Sequence, residues 1–132
     1  MSIMFKIDES RRIVFTAMTG ALTFRQLVSH AVALQSDPRF HASFSELLDV
    51  RGVTESDLSF REMLELAQTI DPFSPAARRA IVAQSELMYD TSLMYQSIRG
   101  NESNIHVFRG VEEARKWLGI TSDSELADRQ SA

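Results

Sequence analysis

The chain contains no cysteine, which excludes disulfides, thiolate catalysis and cysteine-ligated metals. No stretch approaches the roughly 20 consecutive apolar residues of a membrane span. The first residues, MSIMFKID, lack a basic region followed by a long apolar one, so a secretory signal is not expected. Positive charge is not in excess. The net charge is −4, and the pairs Arg11–Arg12 and Arg78–Arg79 stand outside any basic patch. A mildly acidic domain binds phosphate backbones poorly, so nucleic acid is not an expected partner. Glycine is sparse, and no glycine-rich phosphate loop is present. His30, His41 and His106 are dispersed without metal-ligand spacing, and there is no G-x-S-x-G elbow. On these grounds no metal, cofactor or catalytic residue is expected, and the default location is the cytoplasm.

What is present fits one domain. A chain of 132 residues with 44% hydrophobic and 24% charged residues can bury a single core without staples. Ile3–Asp8 alternates apolar and polar residues as a half-buried strand does. Glu9-Ser10-Arg11 reads as a tight turn, and Arg12–Met18 as the second arm of a hairpin, ended by Gly20. Thr23 and Gln26 have capping-box spacing. The helix they open has Phe24, Leu27, Val28, Ala31, Val32 and Leu34 on one arc, and Asp37-Pro38 ends it. Phe44–Val50 is apolar on both faces, as a central strand is. Ser59 and Glu62 form a second capping pattern before a helix that Asp71-Pro72 stops. A short buried strand at Arg79–Gln84, a helix from about Glu86 to Ile98, a strand at Asn104–Phe108 and a helix at Val111–Leu118 follow. The order ββαβαβαβα implies an α/β domain over residues 1–120, with a mixed five-stranded sheet and parallel strands joined by right-handed crossovers. The polar tail, 121–132, is expected to fray.

These segments resemble the small bacterial SpoIIAA-like proteins of the STAS/SEC14-like superfamily over roughly residues 3 to 119. The pieces that carry the resemblance are RRIVFTAMTG, DPRF with ELLDVRGVT, DPFSPAARRAIVAQS and HVFRGVEEARKWLG. The resemblance implies a right-handed β/α superhelix and a regulatory rather than catalytic role. Anti-sigma-factor antagonists of this superfamily carry a motif of the type Asp-x-Ser-Gly-Val…Asp-Ser-Ser-Gly-Leu, in which a partner kinase phosphorylates a serine of the second half. On that motif Asp49 matches the first Asp, Gly52 and Val53 the Gly-Val, Asp57 the second Asp and Ser59 the phosphorylated serine. Arg51, Leu58 and Phe60 depart from it. SEC14-like relatives carry lipids in an apolar cavity.

Three candidate surfaces follow. Ser59 is a helix cap, a phosphorylation site, or both, since a phosphate on a helix N-terminus is electrostatically accepted. Arg51, Asp57, Ser85 and Arg109 fall near the carboxyl ends of parallel strands, where ligands gather in open α/β sheets. There the arginines either hold a small anionic head or pair with neighbouring acids. In the third helix Leu87, Met88, Thr91, Met94, Tyr95 and Ile98 form one arc. Tyr89 and Leu93 lie off it, and they either complete the core or make a homodimer or partner contact. The leading expectation is a non-enzymatic regulatory or protein-interaction domain with an unidentified protein partner. The alternative is a carrier of a small anionic ligand or lipid.

Overall fold

The alternating first segment pairs with the second as a hairpin: β1 (Ser2–Asp8) runs antiparallel to β2 (Ile13–Leu22). Asp8 fixes the turn, accepting from the Arg11 backbone N–H at 3.0 Å, from Arg11 Nε at 2.7 Å and from Ser10 Oγ at 2.8 Å. These bonds hold its carboxyl at about 2. The computed structural model describes residues 2–120, and the expected tail at 121–132 lies outside them.

From β2 the chain repeats one move, crossing the sheet by a helix and returning as a parallel strand one place further on. Helix α1 (Phe24–Ser36) leads to β3 (Ser45–Ser56). Helix α2 (Phe60–Glu65) passes directly into a π-helical turn (Leu66–Ile70) and leads to β4 (Arg78–Val82). Helix α3 (Glu86–Arg99) leads to β5 (Asn104–Phe108), and α4 (Val111–Leu118) closes the fold. The strand order is β1-β2-β3-β4-β5, antiparallel only at the first pair. The expected mixed five-stranded sheet and its element order are therefore observed.

The period of two along each strand sorts the core into two layers. Val14, Met18, Val50, Ile81 and Ile105 pack beneath α1, α2 and α3, while Ile13, Leu47, Ala80 and Val82 pack against Ala114 of α4. Trp117 of α4 packs at a tilt against His106 and Phe108, with Arg78 lying 4.3 Å over its ring.

Several boundaries differ from expectation. Gly20 does not end β2. It takes a left-handed φ of 80° beside a register shift, and the strand continues to Leu22. A glycine readily adopts that φ, and the irregularity shifts the pairing locally without ending the strand. Paired with this extension, β3 runs on through Arg51–Ser56 past the Val50 end expected for it, and only Asp57–Ser59 separates it from α2. Gly52 sits in that extension, where a Cβ would come within 2.7 Å of Thr19 Cγ2. The buried stripes of α1 and α3 are also narrower than the sequence arcs. Ala31 and Leu34 are buried on α1, and Met88 and Ser92 on α3, whereas Val32, Leu87 and Met94 are exposed. Each helix covers the sheet through a single line of residues three or four apart, so apolar residues at the arc margins face outward.

Candidate functional site

Between the sheet and α1, α2 and α3 the core is not filled. A cavity of about 120 Å³ remains. Its walls are apolar, with Leu27 and Ala31 from α1, Met63 from α2, Leu66 from the π turn, Met88 from α3 and Ile81 from β4. Half-buried Leu27, His30, Leu58 and Thr91 mark where it meets solvent.

One end of this cavity is ionic. Glu46 on β3 and Arg79 on β4 are direct register partners on the helix-covered face of the sheet. Arg79 Nε donates to Glu46 Oε1 at 3.1 Å, and Thr16 Oγ1 donates to Glu46 Oε2 at 3.3 Å. Arg79 Nη1 donates to Asp71 Oδ2 at 2.7 Å. The π turn places that acid: the Asp71 N–H reaches back five residues to the Leu66 carbonyl at 2.9 Å, and Pro72 ends the helix there. Tyr95 of α3 donates its hydroxyl to Asp71 Oδ2, and Arg99 Nε stands 3.7 Å from the same oxygen. The side chains of Arg79, Glu46 and Asp71 are 9%, 3% and 1% exposed. Arg79 also lies 4.3 Å over the Phe73 ring.

Burial governs the protonation of this cluster. It pushes the Glu46 carboxyl up from its ordinary range, with Arg79 pulling against it. Burial also opposes the charge on Asp71, but Arg79 and the Tyr95 hydroxyl outweigh it and the carboxyl is held low. Burial works against the Arg79 charge too, yet Glu46 and Asp71 overcome it and Arg79 stays protonated. The Tyr95 phenol is pushed up, by burial first and then by the Asp71 charge. On the cavity wall, His30 is lowered by burial and by Arg79, which favours the neutral imidazole, and its ring meets Phe5 edge-on at 5.4 Å.

The residues singled out from the sequence lie elsewhere. Ser59 is exposed and caps α2, accepting from the Glu62 N–H at 3.1 Å while the Glu62 carboxylate accepts from the Ser59 N–H at 2.9 Å. Ser59→Ala is expected to lower stability by about 0.5–2 kcal/mol, read as a lower urea midpoint at unchanged slope. An unchanged midpoint would show that the cap contributes nothing. Arg51 is engaged bidentately by Asp49, at 2.9 and 2.8 Å, and Asp57 is exposed. Ser85 caps α3 through the Met88 N–H at 3.1 Å. Arg109 donates to the Gln84 carbonyl at 3.1 Å and to Glu86 at 3.2 Å, and covers the half-buried Tyr89 ring at 3.9 Å. Among the described residues no hydrogen bond joins Arg51 to Arg109. Leu93 is exposed on α3.

Glu46, Asp71, Arg79, Tyr95 and His30 were not reached from the sequence as a site. A signal existed: Glu46 and Arg79 are charged residues directly before the apolar runs Leu47-Leu48 and Ala80–Val82, at buried positions of their strands. Ionised side chains are almost never fully buried without a partner, so an acid and an arginine in successive buried strands point to each other. In the sequence Asp71 marks only the end of a helix.

No protein-family model matches the chain, and no curated protein matches it. Among solved structures the chain is similar to an uncharacterized protein of the DUF3478 family with a SpoIIAA-like fold, from Shewanella loihica PV-4. The similarity has a TM-score of 0.62 at 19% sequence identity, over 88% of this chain and 93% of that one. The fold is therefore SpoIIAA-like, as the sequence segments imply. Among the described residues no helix is long and apolar enough to cross a membrane.

Proposed function

We propose that this STAS-like domain is a non-catalytic binder of a small, largely apolar molecule, held in the cavity between the sheet and α1–α3. The cavity itself carries the reading, with about 120 Å³ left open among side chains such as Leu34, Met63, Ile81 and Met88 that are buried from solvent. Protein interiors normally leave few voids larger than a water molecule, and aliphatic cavities of about 150 Å³ admit benzene-sized guests. The sequence-stated alternative of a carrier is thus favoured by geometry, with Arg51 and Arg109 replaced by the Arg79 end of the cavity.

A second reading, regulation through a protein partner, is favoured by Phe60. This ring is 61% exposed directly after Ser59, and a large exposed aromatic is a common interface anchor. One measurement addresses both readings: native mass spectrometry of protein purified from its own host, set against the denatured mass. The expected result is a native mass exceeding the denatured one by a releasable small molecule. A bare chain would count against the binder, and an increment of one phosphate localised to Ser59 would move the second reading to the front.

A further inference from the structure

Resting on the binding reading, we infer that the ligand is a small neutral molecule with an oxygen head, a phenol, alcohol or ketone, whose oxygen accepts a hydrogen bond from Arg79 Nη2. Arg79 lines the cavity, and its side chain is nine-tenths buried. Its Nε and Nη1 are committed to Glu46 and Asp71, while Nη2 has no acceptor among the described residues. A guanidinium carries five N–H donors and no acceptor. Nη2 keeps accessible surface and is free to donate to an acceptor oxygen on the guest.

The charges around the head select its class. Facing the cavity end are Arg79 from β4, Glu46 from β3, Asp71 after the π turn, Tyr95 from α3 and His30 from α1, with Arg99 behind Asp71. The guanidiniums of Arg79 and Arg99 face the carboxyls of Glu46 and Asp71, with burial working against the Glu46 charge, while burial favours the neutral forms of Tyr95 and His30. A carboxylate head would bring another acid beside Glu46 and Asp71, which already occupy Nε and Nη1 of Arg79, and an ammonium head would face Arg79 at close range. Either charge is costly to desolvate without a new partner. A neutral oxygen needs only the open donor. At about 120 Å³ the space is slightly smaller than one that admits benzene, which limits the enclosed part to about six heavy atoms.

Phenol and toluene are equal in heavy-atom count and differ at the head, so they separate this inference from the reading beneath it. Amide chemical shifts of the full chain would be titrated with each, and with benzoate and benzylamine. Purely apolar cavities take toluene and reject phenol, because a buried hydroxyl without a partner is penalised. The expected result is that phenol binds at least as tightly as toluene, and about tenfold or more tighter than benzoate or benzylamine, with shifts centred on α1, the π turn and β4. Arg79→Lys keeps the charge and removes Nη2. It is expected to weaken phenol about tenfold and leave toluene unchanged. If that variant does not fold, the wild-type comparison alone decides. Toluene binding without phenol, or benzoate binding more tightly than phenol, overturns the inference and leaves the binding reading standing. No shift with any of the four probes overturns both.

Discussion

Arg79→Met is expected to lower the unfolding free energy at pH 7 by about 3–5 kcal/mol, because it strands two buried carboxylates without their shared partner. That is a large share of the roughly 5–15 kcal/mol that holds a domain of ordinary stability together. Its size would vary with pH in a defined direction. In the wild type, Asp71 is depressed, so its contribution is present above its ordinary pKa and is lost as pH falls. Once Arg79 is gone, burial meets less opposition: Glu46, already raised, keeps the Thr16 hydroxyl, and Asp71 keeps Tyr95, the Phe73 N–H and Arg99 at 3.7 Å, so both carboxyls move upward. A raised acid is most costly where the unfolded chain has released its proton and the folded one must too. The penalty of Arg79→Met is therefore greatest at neutral pH and shrinks toward about pH 4. Urea unfolding of both proteins at the two pH values measures this. A loss below about 1 kcal/mol at pH 7 would mean that the cluster is hydrated in solution. Replacing Glu46, Asp71 and Arg79 together by apolar residues of matching volume is expected to cost far less than the single change, since a whole buried ion cluster contributes little net stability.

Leu34→Ala is expected to cost about 2–5 kcal/mol. Leu34 is fully buried on α1 and is also a wall of the cavity, so the deleted atoms join space that already exists. Relaxation into the gap is correspondingly poor, which places the loss toward the upper end. A guest that fills the enlarged space should return part of it: at 100 times its Kd, a ligand stabilises the folded state by about 2.7 kcal/mol. Thermal unfolding with and without toluene tests this. The variant should gain more from toluene than the wild type gains. Equal gains, or a loss under about 1 kcal/mol, would show that the helices close over the space.

The sheet was legible because each strand and helix announces itself by period and by punctuation. Ser59 with Glu62 and Asp37-Pro38 do locally what their spacing says, and the order of elements leaves little choice of topology. The strand ends were not legible, because pairing between Thr19–Leu22 and Gly52–Ser56 extends both strands past a glycine that reads as a stop. Nor were the helix faces fully so, since Leu87 and Met94 belong to an apolar arc that the sheet does not reach across. The cavity lay furthest from view. Emptiness in a core depends on how far apart the helices sit, and Ala31, Ser92 and Leu66 carry no mark of that in one dimension. Its ionic end was half legible, in two opposite charges on neighbouring buried strands.

In this sheet the order of strands in space is the order of strands in the chain. During synthesis, each new strand can therefore be added to an edge that has already left the ribosome, with no strand waiting for a distant partner. The cavity keeps a different calendar. Its sheet floor exists once β4 has emerged, but Met88 and Tyr95 arrive only with α3. Without α3, Asp71 lacks Tyr95 and Arg99, and a carboxylate and a guanidinium open to water cost little to hold. The ionic end becomes dry, and the pocket becomes a pocket, only when α3 packs.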